Sequence, residues 1–359
     1  MGLPLFLSAC SHKPPPDFAP DPGLVARIDS IRMIVPAAAC PGTTIPASYE
    51  AVLDDGSLVP FANRYDEDHP PPLHVVFLSR YSPAAIALEN GSWATVDDPL
   101  ASAMNGFPLQ VILRAKPGVI ARATVAPAYG CGEHAFHFEG VTGDRSEPGG
   151  RGPDVTVRLG LLSSPFVQRL IVAEIAVEAA LPFYVLADAD VVPPADWLLI
   201  GSDGGRGGRG SDGKPGRDGT NGTAGCPGTP GGAGGRGGDG ADGGPGGPGG
   251  RVTVIVPDSD PFLAGLVDGR TQGGEGGQGG KGGKGGEGGK GGPAEGDARR
   301  CQAGADGRDG PDGRAGRQGP AGQPGPRAQV LTVPAGGVFG ARPRPELEAL
   351  IRYHEGTRG

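Results

Sequence analysis

The hydrophobic residues between Leu24 and Ile200 come in short runs that are separated by turn residues. Asp54-Asp55-Gly56 and Asn90-Gly91 each divide two such runs, and Lys116-Pro117-Gly118 divides two more, as hairpin turns do. No long stretch repeats hydrophobic residues with the helical period. This pattern predicts β-strands of ordinary length joined by tight turns.

The strand candidates are rich in β-branched side chains. They cover residues 26–35, 49–61, 85–96, 109–126, 136–138, 155–162, 170–177 and 183–187. Short strands at such close spacing are typical of a β-sandwich, and we expect one of the immunoglobulin-like kind. Residues 345–354 (PELEALIRYH) add one short helix. The expected fold class is therefore mainly β with little α-helix.

The C-terminal half follows a different rule, because glycine recurs there at every third position. The repeat runs without a break over residues 201–249, 273–291 and 304–325. A flexible linker needs glycine but no register, so the strict period argues against a linker. A polyproline-type helix has three residues per turn and places every third residue on one face. Each block therefore predicts an extended helix with a glycine face.

Such helices pack either as a collagen triple helix of three chains or as a polyglycine-II bundle within one chain. Proline is sparse in the first block, which disfavours collagen, and apolar runs at 197–200, 251–256 and 330–333 interrupt or flank the blocks as strands would. Many triplets also hold a second glycine, and each further glycine costs roughly 0.5–1 kcal/mol of chain entropy relative to alanine. We expect the bundle on a β base, and the collagen-like trimer is the alternative.

The segment 273–290, GGEGGQGGKGGKGGEGGK, indicates what the second glycine does. Three residues per turn place all its polar side chains along one edge. These are Glu275, Gln278, Lys281, Lys284, Glu287 and Lys290. The other two edges carry only glycine, so we expect neighbours to press on both of them and the polar edge to face water.

Residues 237–257, GGDGADGGPGGPGGRVTVIVP, followed by GGEGGQGGKGG at 273–283, resemble the amino-terminal domain of Obg-type GTPases, where strands alternate with glycine-helix excursions. The resemblance covers about Trp197 to Val333 and implies a fold without a GTPase, because no G-x-x-x-x-G-K-[S/T] phosphate loop occurs. Residues 224–235 (AGCPGTPGGAGG) also resemble springtail antifreeze proteins, which are disulfide-stapled bundles of such helices. Ice-binding faces lack charge, whereas charged residues fill the third positions here, so we do not expect antifreeze activity.

The chain opens MGLPLFLSAC-SHKPPP, and Leu7-Ser8-Ala9-Cys10 resembles the lipobox of bacterial lipoproteins. The resemblance implies cleavage before Cys10 and lipid attachment to it, and Ser11 in place of Asp implies delivery to the outer membrane. The apolar run 2–7 is short and no Lys or Arg precedes it, so we expect a start codon further upstream. Residues 11–23 are rich in proline and are expected to form a semi-rigid tether.

The chain has 5 cysteines, an odd number. If Cys10 carries lipid, Cys40 and Cys131 remain in the first half, and Cys226 and Cys301 remain in the glycine-rich half. Two disulfides, one within each half, are the simplest pairing, and an exported protein would keep them oxidised. Pairing across the halves is the alternative, because sequence alone does not fix connectivity.

Charge and composition exclude several functions. The formal net charge of −8 argues against nucleic-acid binding, which needs a basic surface. The 70 Gly and 39 Pro among 359 residues are at the level of collagen-like or low-complexity chains. No apolar run is long enough to span a bilayer, so we expect membrane contact only through the lipid on Cys10.

Three short motifs hold residue types that occur in chemical sites, and each has a structural explanation. In the run Cys131 to His137, His134 and His137 would point to opposite faces of a strand. Asp66-Glu67-Asp68 precedes three prolines and reads as a loop, and no nucleotide-binding pattern accompanies Asp188 and Asp190. No nucleophile, base and orienting acid stand out together. We therefore expect no catalytic residue, no metal, no cofactor and no enzymatic activity.

These observations divide the chain into five parts. They are a signal with the lipobox (1–10), a tether (11–23), a β-sandwich (24–196), a glycine-rich Gly-x-y domain with interleaved strands (197–333) and a tail with a short helix (334–359). The expected protein is a structural or adhesive component anchored at the bacterial outer membrane or cell surface, with protein or carbohydrate partners. The alternative is a trimeric collagen-like stalk that displays a ligand-binding β domain.

Overall fold

The computed structural model describes residues 14–193, 195–296 and 300–358. Strands make up 29% of it and helices 11%, so the expected mainly β class is confirmed. Cys10 and the rest of the expected signal lie outside the described residues.

The first unit is a small β structure that runs from the start of the described chain to Pro127. Its three sheets have the strand orders β1-β4-β5, β2-β10-β9-β6 and β3-β8-β7. Its elements are α1 (Pro22–Arg27), β1 (Ile28–Ile34), β2 (Ala38–Ala39), β3 (Thr44–Ile45), β4 (Ser48–Leu53), β5 (Leu58–Pro60), a 3₁₀ turn (Val75–Phe77), β6 (Leu78–Tyr81), β7 (Ala85–Ala87), β8 (Trp93–Thr95), α2 (Pro99–Ala103), β9 (Phe107–Leu113) and β10 (Ile120–Pro127).

The hydrophobic core of this unit follows from alternation along the strands. In β9 every second residue is buried, as expected for a strand with one face on a core. Trp93 donates from Nε1 to the Tyr49 hydroxyl at 3.0 Å, and that hydroxyl donates to the Gly91 carbonyl at 2.7 Å. The buried aromatic pair therefore has its polar atoms satisfied. The three predicted hairpins are confirmed by the pairing of β4 with β5, β7 with β8 and β9 with β10.

The second unit is a two-layer β structure. One layer is the parallel sheet β11-β15-β17, and the other is the five-stranded sheet β14-β13-β12-β16-β18. Its elements are β11 (Ala135–Glu139), β12 (Asp154–Leu162), β13 (Leu170–Val177), β14 (Phe183–Asp188), β15 (Leu198–Asp203), β16 (Arg251–Pro257), a 3₁₀ helix (Pro261–Leu266), β17 (Val267–Arg270), β18 (Gln329–Val333), a 3₁₀ turn (Ala335–Gly337) and α3 (Pro345–Arg358).

Three pairs of glycine-rich segments leave this sandwich and return to it. We number these polyglycine segments PG1 to PG6. PG1 and PG2 (140–144 and 147–153) connect β11 to β12, PG3 and PG4 (204–225 and 228–250) connect β15 to β16, and PG5 and PG6 (271–293 and 302–328) connect β17 to β18. The order of the strands continues into the segments, because PG3 bonds to PG1 and PG5, and PG4 bonds to PG2 and PG6.

The five-stranded sheet is covered on both faces. One face packs on the β11-β15-β17 layer, and the other packs on α2 and α3, where Leu347 and Leu350 meet Leu170 and Val172. This explains why β13, LIVAEIAV, is an almost continuous apolar run. Glu174 is its only charged residue.

Two expectations from the sequence differ from the structure. The boundary placed at residue 196 falls inside one unit, because β11 pairs with β15 and β12 pairs with β16. The immunoglobulin-like detail is not confirmed either, since immunoglobulin sheets are antiparallel whereas these two pairings are parallel. Hairpin turns identified local pairs correctly but gave no information on pairing across the long glycine excursions.

The expected tether is also shorter than predicted. Phe18 packs against Tyr65 and Phe77, with ring centroids 4.9 and 5.1 Å apart, and Asp21 caps α1. The chain is therefore attached to the first unit from Phe18 onwards.

Candidate functional site

The most distinctive feature of the molecule is the bundle formed by PG1 to PG6. Its main-chain hydrogen bonds repeat every three residues. In PG3, Gly207 donates to the Glu275 carbonyl at 2.9 Å, and the same bond recurs five triplets later from Gly222 to Lys290 at 2.8 Å. PG4 donates to PG3 and PG6, and PG5 donates to PG4. PG4 and PG5 thus form the centre of the four long segments.

Glycine is required where the segments touch, because a side chain would occupy the position of a neighbouring carbonyl. A Cβ on Gly276 would overlap the carbonyl oxygen of Gly319 in PG6, and a Cβ on Gly277 would overlap that of Gly208 in PG3. All six polar residues of the 273–290 edge are exposed, as the sequence predicted. The two glycines of each PG5 triplet are therefore contacts to two different neighbours.

Acidic side chains tie the segments together from outside. Asp212 and Asp218 of PG3 accept from the backbone N–H of Lys281 and Glu287 in PG5, at 2.8 and 2.9 Å. The same bond joins PG6 to PG5 through Asp306, Asp309 and Asp312, and PG4 to PG6 through Asp239 and Asp242. The bond from the Lys281 N–H lowers the pKa of Asp212 below its ordinary value, and the nearby Arg209 charge adds to this. These aspartates therefore stabilise the packing of neighbouring segments.

The far end of the bundle is closed by a disulfide. Cys226, at the turn between PG3 and PG4, is bonded to Cys301 at the start of PG6. Next to it the backbone N–H of Glu295 donates to the Gly225 carbonyl at 2.9 Å. The other disulfide, Cys40–Cys131, joins the first unit to the segment before β11. Both disulfides are the pairings expected within each half.

A cleft of about 740 Å³ lies where the two units meet. Arg344, which precedes α3, donates to Asp98 at 2.5 Å and lies over the Tyr184 ring at 5.5 Å. Burial raises the pKa of Tyr129 to about 12, so its hydroxyl remains protonated. The lining includes Asp97, Asp98, Tyr129, Glu133, Phe136 and Arg344. The cleft could hold a small polar ligand, but the only cation among these six side chains is already paired.

Behind the cleft is a buried polar cluster on three neighbouring strands. Glu174 is 7% exposed and accepts from Arg158 and from the Tyr184 hydroxyl, both at 2.9 Å. Burial and the Glu174 carboxylate raise the pKa of Tyr184. Arg158, Glu174 and Tyr184 are cross-strand partners on β12, β13 and β14, so the cluster fixes the register of these strands.

The structure gives His134 and His137 different environments and places Asp188 and Asp190 together in a turn. His134 packs on Trp197, with ring centroids 5.2 Å apart, and burial lowers its pKa, whereas His137 is exposed on β11. Asp188 and Asp190 hold a turn, and Asp190 bonds to Arg169. Among the described residues no group of three or more His, Cys, Asp or Glu could hold a metal ion.

Ser163 and His354 lie within hydrogen-bond distance of each other. Ser163 Oγ lies 3.0 Å from His354 Nδ1, but the hydroxyl donates to the Gln168 carbonyl at 2.9 Å. A serine nucleophile needs its proton directed at the histidine that removes it. The Gln168 carbonyl therefore competes with His354 for the proton of the Ser163 hydroxyl.

Sequence reasoning missed PG1 and PG2, the ladder of aspartate bonds and the cleft. Gly140, Gly143, Gly149 and Gly152 do share a three-residue register, with Ser146 at the position between them. That register is the signal that would have revealed the short pair. The contact of Arg344 with Asp98 joins positions 246 residues apart and has no such signal.

The chain was compared with family models, curated proteins and solved structures, and none of the three comparisons found a match. Within residues 14–193, 195–296 and 300–358, no helix has both the length and the apolar character needed to cross a membrane.

Proposed function

We propose that this protein is a non-enzymatic lipoprotein of the bacterial cell envelope, with a structural or adhesive role in which the glycine bundle is a rigid scaffold. One observation supports this best: the long segments are bonded to each other along their whole length, joined to a sheet at one end and to a disulfide at the other. At roughly 3.1 Å per residue, PG3 from Gly204 to Gly225 extends about 65 Å. Such an element is suited to holding partners at its two ends a fixed distance apart.

The intrachain bonds weigh against the collagen-like stalk. A collagen helix needs the glycine N–H groups for bonds between chains. In PG3, PG4, PG5 and PG6 glycine N–H groups at every turn already bond within the chain. Sedimentation analysis tests this, because a trimeric stalk would have three times the chain mass of 36.0 kDa. Thermal denaturation adds a second test, because the melting temperature of a trimer depends on protein concentration.

The resemblance of residues 7–10 to a lipobox supports the anchor, and the mixed charges on the bundle surface suit a projection into water. Growth of the native host with labelled palmitate tests the anchor, using Cys10→Ala as the control. Label in the wild-type chain and none in the variant is the expected result. An unlabelled wild-type chain in the soluble fraction would overturn the lipoprotein proposal without affecting the rigid scaffold.

The cleft between the two units supports a second candidate, a module that binds a small polar or carbohydrate ligand. Its aromatic walls and its carboxylates are the side-chain types that bind sugars. Screening by calorimetry against envelope oligosaccharides tests it, with Asp97→Asn as the variant expected to weaken binding. No heat above the buffer control for any sugar would remove this candidate.

A further inference from the structure

We propose that β18 is an interface through which two copies of this chain associate, with their β18 strands antiparallel about a twofold axis. The two five-stranded sheets then become one continuous sheet. This inference concerns the β base and does not depend on the lipid anchor or on the role of the bundle.

The first observation is that β18 is an unprotected edge. It pairs with β16 on one side, and its first four residues are exposed. Its sequence, QVLTV, has no charge, proline or glycine, although edge strands usually carry one of these to prevent pairing. The edge β17 has such protection in Asp268 and Arg270, and α2 packs on the outer face of the sheet next to the opposite edge strand β14.

The second observation is that β18 exposes apolar side chains on both faces of the sheet. Val330 is aligned with Val254 on the inner face and is 53% exposed. Leu331 is aligned with Ile255 on the outer face and is 49% exposed. A ligand bound on one face would cover only one of them. A further strand beside β18 would cover both, because its side chains also alternate between the faces.

The third observation is charge complementarity between the two ends of β18. Arg327 is exposed before the strand, and Asp258 is exposed at the opposite end, where its N–H bonds to the Val333 carbonyl at 2.9 Å. Neither side chain forms an ion pair with another described residue. An antiparallel arrangement centred on Leu331 brings Arg327 of each copy near Asp258 of the other. A twofold axis makes this contact twice.

The rest of the molecule leaves room for this arrangement. The first unit packs near β14, at the far edge of the same sheet. PG6 leads directly into β18, so antiparallel β18 strands send the two bundles in opposite directions and avoid a clash between them. The second copy of the chain is therefore a partner that fits the edge in shape, polarity and charge.

Sedimentation velocity on the full oxidised chain, over a concentration series up to about 1 mM, tests the proposal. We expect the wild type to reach twice 36.0 kDa. Leu331→Lys and Val330→Lys, which place a charge on either face, should each leave a monomer with an unchanged circular dichroism spectrum. The matched control is Ile86→Lys, since Ile86 is 70% exposed on the short edge strand β7, and it should remain a dimer.

A charge exchange tests the register. Arg327→Asp should weaken association about tenfold, because it places like charges together at both ends of the interface. Adding Asp258→Arg to it should restore the affinity to within about threefold of wild type. A wild-type monomer at all concentrations, or dimers that persist in both lysine variants, would overturn the proposal. A restored affinity distinguishes this register from any other contact through β18.

Discussion

Replacing Gly283 by alanine tests whether the bundle depends on contact between backbones. In PG5, Gly283 donates to the Gly238 carbonyl at 2.9 Å, and its own carbonyl accepts from Gly313 at 2.8 Å. A Cβ at this position would overlap the Lys214 carbonyl oxygen, and the next two atoms nearest to the Cβ also belong to the backbone. The segment can accommodate the methyl group only if it moves away from PG3.

The magnitude follows from three opposing contributions. Overpacking costs about 1–3 kcal/mol, and weakening of the two hydrogen bonds costs about 0.5–1.5 kcal/mol each. The reduced entropy of the unfolded chain returns about 0.4–1 kcal/mol. We expect a net loss of about 2–4 kcal/mol in the free energy of unfolding of the bundle.

Urea denaturation followed by the polyproline-type circular dichroism signal measures this loss. Lys284→Ala is the matched control, because Lys284 is the next residue, is exposed, and keeps its backbone bond from Gly216. We expect the control to remain within about 0.5 kcal/mol of wild type. Equal stability of the two variants would refute the argument that PG5 glycines are close contacts.

Three further predictions concern the bonds that hold the rest of the molecule. Replacing Cys226 and Cys301 by serine opens a loop of 75 residues and should destabilise the bundle by about 4 kcal/mol. Amide hydrogen exchange should rise first at the disulfide end of the bundle, and unchanged exchange there would contradict the prediction. The pKa of Asp212 is lowered in the folded chain, so its stabilising effect is present above about pH 3.9 and is lost as the pH falls through the folded pKa. NMR titration should show a midpoint below the ordinary value, and a normal midpoint would contradict the bond. Glu174→Ala leaves Arg158 without its partner and should lower the free energy of unfolding, measured by thermal denaturation, by about 3–5 kcal/mol. Replacing Arg158 and Glu174 together by apolar residues should lower it much less.

Local features of the fold could be predicted from the sequence. Turn chemistry at Asp54-Asp55-Gly56 identified a hairpin, and the β-branched runs identified most strands of the second unit. The strand β17 was missed because VDGR contains a single apolar residue. Its position depends on parallel pairing with β15, which is a contact between residues about 69 positions apart.

Other features could not be predicted because they also depend on contacts between residues far apart in the sequence. The Cys226–Cys301 bond was expected on grounds of simplicity, and the aspartate ladder was not expected at all. An aspartate at the third position of a triplet looks like an exposed charge until the neighbouring segment is known. Asp212 acquires its role only because PG5 runs beside PG3 with Lys281 opposite.

The number of glycines in a triplet nevertheless carries information about neighbours. PG3 has two glycines per triplet up to Gly208 and only one from Gly210 onwards, where Ser211 takes the second position. The change occurs at the tip of PG1 and PG2: a Cβ on Gly208 would overlap the Asp144 backbone, and the Gly208 N–H donates to the Glu147 carbonyl. PG6 lies on the outside with two neighbours and has one glycine per triplet, whereas PG5 has three neighbours and two glycines. The second glycine costs chain entropy, and in PG5 it stands where a third backbone leaves no room for a Cβ. PG4 also has three neighbours, but it holds Ala241 at the second position of one triplet. Glycine periodicity therefore predicts a helix, and in PG3, PG5 and PG6 the glycine density within the period follows the number of neighbouring segments.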